Sequence, residues 1–210
     1  MKTMILRALP ALAMASLGGP ALAVIDFESQ ATGLVSSLSA TDQGVTATFF
    51  NGGSEMLAVW NLSPYSAPAS WGSRSVWSGG SSSASGPTTG NFSEGLSWVS
   101  MEFGDFGADD DQIFLRAYSG LDGSGSLLGS VSLFYDSSRA LSNDDFVTLS
   151  VGSATPIRSI LFGSVGYQGL NNIYFDNVRF EKAGVPAVPG PLAALPFALG
   201  LLASRRRKRS

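Results

Sequence analysis

The stretch SWVSMEFGDFGADDDQIFLRAYSGLDGSGSLLGS, residues 97–130, contains the alternation from which the rest of the chain can be read. In its first part Val99, Met101 and Phe103 alternate with Trp98, Ser100 and Glu102. In its second part Ile113, Leu115 and Ala117 alternate with Phe114, Arg116 and Tyr118. A period of two is what an extended strand needs to bury one face, so both runs are predicted as strands with one inward side. The segment LDGSGS that follows has the Asp-Gly and Gly-Ser chemistry of a hairpin turn, with Gly123 or Gly125 free to take a positive φ.

Working outward, short runs rich in β-branched and aromatic residues recur at Val24–Phe27, Val45–Phe50, Met56–Asn61, Leu127–Phe134, Asp145–Val151, Ile157–Phe162 and Asn172–Phe180. Each is bounded by Gly, Ser, Asn or Asp, and no stretch has helical periodicity. About nine strands without crossover helices predict an all-β fold, an antiparallel β-sandwich or jelly roll of one domain over residues 24–181. Residues 78–91, SGGSSSASGPTTGN, are low in complexity and almost without charge, and they are predicted as a surface loop.

Composition narrows the chemistry. The chain has no cysteine and no histidine. That excludes disulfides, a thiolate nucleophile, Ser-His-Asp and Cys-His catalysis, and the usual zinc and copper sites. All 16 acidic residues lie between Val24 and Lys182, with only Arg74, Arg116, Arg139, Arg158, Arg179 and Lys182 to balance them. This span has a formal charge of 6 minus 16, or −10, which the whole-chain value of −3 conceals. Such a surface repels nucleic acid and suits cations or neutral glycans.

The missing cations lie at the two ends. Lys2 and Arg7 precede an apolar stretch that closes on Ala21-Leu22-Ala23, a small-x-small pattern, so residues 1–23 are expected to be a secretory signal peptide. Gly18, Gly19 and Pro20 break this segment before it reaches the roughly 20 apolar residues of a membrane span. At the other end the run Leu192–Ala203 is followed by Arg205, Arg206, Arg207, Lys208 and Arg209. An exported chain would halt there in the inner membrane, as a short transmembrane helix with its cations cytoplasmic. The run is short and carries Pro196 and Gly200, which suits removal better than permanent anchoring.

The order Val188-Pro189-Gly190-Pro191, apolar run and Arg cluster resembles the C-terminal sorting signal of PEP-CTERM proteins. That resemblance covers about the last 25 residues, with 182–188 as linker and 189–210 as the signal. It implies passage through the secretion machinery of a Gram-negative bacterium and a transient inner-membrane stage. Cleavage by an exosortase-type enzyme and delivery to the cell surface or exopolysaccharide matrix would follow. The family's central Glu is Gly190 here, which leaves the sorting-enzyme subtype open. A simple tail-anchored ectodomain is the alternative.

The pair VIDFES and IYFDNVRF, beginning at Val24 and Ile173, is similar to the first and last strands of exported jelly rolls related to galactose-binding-like and carbohydrate-binding modules. The resemblance implies that these two strands lie side by side. Asp26 and Glu28 would then approach Asp176 and Asn177, a set of hard oxygens suited to a structural calcium ion; a local bulge at Asp176-Asn177 is the competing reading. The cluster Asp105, Asp109, Asp110 and Asp111 lacks the glycine and glutamate of an EF-hand and reads as a solvated acidic turn or a second place for calcium.

For ligand recognition the segment from Val59 to Trp77 supplies Trp60, Tyr65, Trp71 and Trp77 beside Arg74. Flat aromatic faces stack on sugar rings, so Trp60, Trp71, Arg74 and Trp77 are the expected glycan contacts, unless the tryptophans belong to the core. A glycan hydrolase or lyase would need two carboxylates about 5 to 10 Å apart in a cleft, and Glu28, Glu55, Glu94 and Glu102 cannot be paired from sequence. The expectation is therefore a non-catalytic, glycan-associated surface or matrix protein, with the carboxylate enzyme as the alternative.

Overall fold

The computed structural model describes residues 22–79, 86–107, 109–136, 138–165 and 171–184. The predicted signal peptide, apart from its last two residues, and the predicted sorting signal lie outside the described residues. No helix among the described residues is long and apolar enough to cross a membrane.

The described residues form eleven strands: β1 Ala23–Ile25, β2 Gly33–Val35, β3 Leu38–Asp42, β4 Val45–Asn51, β5 Leu57–Asn61, β6 Arg74–Trp77, β7 Thr88–Gly104, β8 Asp111–Tyr118, β9 Leu127–Tyr135, β10 Val147–Val165 and β11 Tyr174–Lys182. Every pairing is antiparallel. The all-β expectation therefore holds, and the predicted β8–β9 hairpin forms with Gly123 at φ 67° and Gly125 at φ 76°.

Two long strands organise the molecule. The second half of β7 lies between β11 and the start of β10, whereas its first half lies between β4 and the end of β10. Both strands therefore pass from one layer to the other. The first layer runs β2-β5-β6-β11-β7-β10, and the second runs β3-β4-β7-β10-β8-β9. β1 joins the first layer, pairing Ala23 with Phe180 and Ile25 with Val178. The first and last strands thus lie together, as the VIDFES and IYFDNVRF pair implied.

The core lies between the layers. On the first layer Val59, Val76, Phe175, Phe103 and Val147 form a single cross-strand row, and on the second Phe49 and Ile160 flank Gly90. Rings from the two layers meet: Phe162 and Phe175 edge to face at 4.8 Å, and Phe103 with Phe162 and Phe49 with Phe175 tilted at 5.8 and 5.7 Å. Pairs of this kind add about 0.5–1.5 kcal/mol each beyond the apolar area they bury.

Two expectations need correction. Thr88–Asn91 is part of β7 and not of a loop, because Thr88 turns inward and its hydroxyl donates to Asn51 Oδ1 at 2.7 Å. Asp145–Val151 and Ile157–Phe162 are not separate strands; β10 begins at Val147 and runs on through the second, and its register against β7 breaks between Gly152 and Ile157.

Candidate functional site

Alternation along the first layer puts the residues next to the core row on its outer side. Trp77 pairs with Tyr174 and Ala58, Tyr174 with Gly104, Trp60 with Ser75, and Asp176 with Glu102. The outer side therefore carries an aromatic row beside an acidic one. The aromatic group is continuous: Trp60 lies 6.1 Å from both Tyr65 and Trp77, Trp77 stacks on Tyr174 at 6.1 Å and 21°, and Phe106 meets Tyr174 at 5.0 Å and Tyr65 at 5.4 Å. Tyr174 is buried beneath the others, Trp60, Trp77 and Phe106 are half-buried, and Tyr65 is 43% exposed.

Backbone anchors hold these rings. Trp77 donates its indole N–H to the Asn172 carbonyl at 2.8 Å, and Gly79 lies so close that a Cβ there would come within 2.4 Å of the Trp77 ring. Of the expected glycan contacts, Trp60 and Trp77 are in this group. Trp71 is not, because a short turn at Ala69–Trp71 folds it over the sheet against Leu62, Leu141 and Phe146, leaving it 1% exposed. Arg74 is not free to meet a ligand either, since its guanidinium is bound by the carbonyls of Glu28 and Gln30. Phe106 and Tyr174 were missed: the first lies in a loop read for its charge, the second in a strand read for its carboxylate.

The oxygens expected to gather at the joined termini are largely committed. Glu28 accepts from Ser73 N–H at 2.8 Å, Ser73 Oγ at 2.7 Å and Arg74 N–H at 2.8 Å. Burial works against its charge, but these bonds outweigh it and hold the carboxyl below the usual range. Asn177, at φ 48° in a bulge opposite β7, donates its amide to Ser70 O and Glu102 Oε2, both at 2.8 Å. Asp26 is exposed and lines an open polar hollow of about 240 Å³. Asp176 is fully buried; its Oδ1 takes the Asn177 N–H and its Oδ2 has no partner. Burial, then the nearby Glu102, Asp26 and Glu28, push Asp176 up to about 9. Glu102 forms an ion pair with Arg179 and is 4% exposed, so neither carboxylate of this pair faces a cleft.

Next to the aromatic group, the β7–β8 loop turns its carboxylates together. Among the described residues, Asp105, Asp109 and Asp111 form the acidic trio whose oxygens all lie within 4.8 Å of one another. Burial, together with Asp105, Asp109 and Asp110, pushes Asp111 up to about 6. The adjacent Ser164 hydroxyl offsets this in part, although its hydrogen bond goes to Asn172 Oδ1 at 3.2 Å. Asn172 also donates to Asp109 Oδ2 at 3.4 Å, so one residue touches both the trio and Trp77.

No protein-family model and no curated protein matches the chain. Among solved structures it is similar to a Family 11 carbohydrate-binding module from Clostridium thermocellum in complex with a β-1,3-1,4-mixed-linked tetrasaccharide. The identity is 13% over 77% of this chain and 96% of that one, with a TM-score of 0.35. The CBM22-1 xylan-binding domain from Paenibacillus barcinonensis is 15% identical over 73% of this chain and 98% of its own, at a TM-score of 0.36. The K2 cleaved adhesin domain of Lys-gingipain is 15% identical over 76% and 88%, at 0.30.

Proposed function

We propose that the chain is an exported, non-catalytic binding module for neutral polysaccharide, with the jelly-roll character its motifs suggest and with the aromatic face of the first layer as its contact surface. The observation that carries this reading is the continuous set Tyr65, Trp60, Trp77 and Phe106, three rings half-buried and one exposed, resting on Tyr174. Rings fixed in this way can stack on sugars without losing much side-chain freedom on binding. The charge of −10 on the body disfavours nucleic acid and anionic lipid as partners and leaves neutral glycan in place.

Affinity electrophoresis through gels containing neutral matrix polysaccharides tests this directly. Trp77→Ala and Tyr65→Ala are each expected to weaken retardation at least tenfold while the far-ultraviolet spectrum is unchanged. Equal migration of these variants and the parent in every gel that retards the parent would end the proposal.

Export and sorting are the second half of the reading. Cleavage after Ala23 would turn the Val24 nitrogen into an ammonium group, and that nitrogen already donates to Asp42 Oδ2 at 2.8 Å, so the new charge would meet a carboxylate. Mass mapping of protein from the native cells is the test. An extracellular form that begins at Val24 and lacks Arg205–Arg209 supports removal by an exosortase-type enzyme. A membrane form that keeps those arginines would mean a tail-anchored ectodomain instead.

A further inference from the structure

The loop between β7 and β8 has the features of a built cation site. Asp105 and Asp111 are 5% and 0% exposed, and neither oxygen of Asp111, nor Oδ2 of Asp105, has a hydrogen-bond donor. Rotation of the Ser164 hydroxyl could serve one of these oxygens and would leave the others without a donor. A buried carboxyl in that state either keeps its proton or meets a cation, and three that converge favour the cation. Neither Asp105 nor Asp111 takes part in the ion pairs of Arg139 with Asp145 and of Arg179 with Glu102. Gly107 closes the loop over the oxygens: a Cβ on it would come within 2.4 Å of Asp105 Oδ2 and 2.7 Å of Asp109 Oδ1. The loop backbone thus lies directly against the carboxylates.

We infer that Asp105, Asp109 and Asp111 hold a divalent cation, and that calcium is the ion whose chemistry fits them. Three hard, anionic oxygens without nitrogen or sulfur select an alkaline-earth ion over zinc or copper. Calcium accepts water for the rest of its shell, whereas magnesium demands a stricter octahedron. The ion would also brace the aromatic face. Phe106 lies between two of the ligands and packs on Tyr174 and Tyr65, and Asn172 joins Asp109 to the Trp77 indole.

Titration calorimetry of the chelator-stripped protein with calcium chloride, paired with melting curves, tests the site apart from any glycan. One ion per chain is expected, with a rise in melting temperature. Asp111→Asn should weaken calcium at least tenfold and abolish the rise. Asp109→Asn, at a half-buried position, should do the same if the first variant folds poorly, while Asp176→Asn should leave both readouts unchanged. Absence of heat and of any melting shift at millimolar calcium would overturn the inference. Loss of binding in Asp176→Asn alone would also overturn it, by placing the ion at the joined termini.

Discussion

Asp176 presents a fully buried carboxyl whose Oδ2 has no donor, and its neighbours Glu102, Asp26 and Glu28 share its sign. In chelator, a carboxyl pushed up to about 9 stays protonated in the folded chain at pH 7 but ionises on unfolding, near pH 3.9. Folding therefore takes up a proton, and stability falls as pH rises from about 4 towards 9, by up to about 1.4 kcal/mol per pH unit. Urea unfolding in chelator at pH 5 and pH 8 should show that fall in the parent and a flatter response in Asp176→Asn; parallel responses would show that the carboxyl is charged when folded. At Trp71 the cost should be one of packing. It is 1% exposed against Leu62 and Leu141, so Trp71→Ala should lose about 3–5 kcal/mol by urea unfolding, whereas Trp77→Ala should lose clearly less. Which of four tryptophans faces solvent was not legible from the segment that holds three of them. Trp60 and Trp77 lie on strands whose alternation can be followed, but Trp71 is buried by a turn that no periodicity announces.

At the scale of elements, the alternation at 97–103 and 112–118 was legible because each run has one core side throughout. The shortest strands were not. β2 has three residues, two of them exposed, and β3 carries Ser39 and Thr41 outward, so neither reads as a strand before its partner is known. The long strands look like shorter ones in sequence for the opposite reason, since each bends where it changes layers. β10 gains residues between Gly152 and Ile157, and β7 gains them where Ile157 opposite Leu96 gives way to Ser159 opposite Asn91. The two irregular segments meet at Gly95, whose added Cβ would lie 2.7 Å from Pro156 Cβ. Gly95 also accepts the Ala183 N–H at 2.8 Å, so three strands depend on its position. Gly95→Ala should therefore cost about 1–3 kcal/mol in chemical unfolding, the range for overpacking a fitted contact. A neutral result would mean that Pro156 can move away and that the bend is looser than the distance implies.

Across the whole molecule, charge is unevenly answered. Six cations face 16 acids in the body, and three of the six have fixed duties: Arg74 on backbone carbonyls, Arg139 on Asp145 and Arg179 on Glu102. The Arg139–Asp145 pair is 23% and 39% exposed, so it stabilises by less than about 1 kcal/mol and weakens in salt. Repulsion among the remaining carboxylates acts over longer distances and in the opposite sense. With a net −10, screening the repulsion outweighs screening the Arg139–Asp145 and Arg179–Glu102 pairs. In chelator, raising sodium chloride from about 50 to about 500 mM, which shortens the screening length from roughly 14 to roughly 4 Å, should therefore raise the melting temperature. Calcium should do so at concentrations far too low to screen, because it would act where Asp105, Asp109 and Asp111 converge and only while Asp111 is intact. A melting temperature that falls with sodium chloride would mean that the ion pairs hold the fold more firmly than their exposure allows, and that the acidic surface is spread widely enough to cost little.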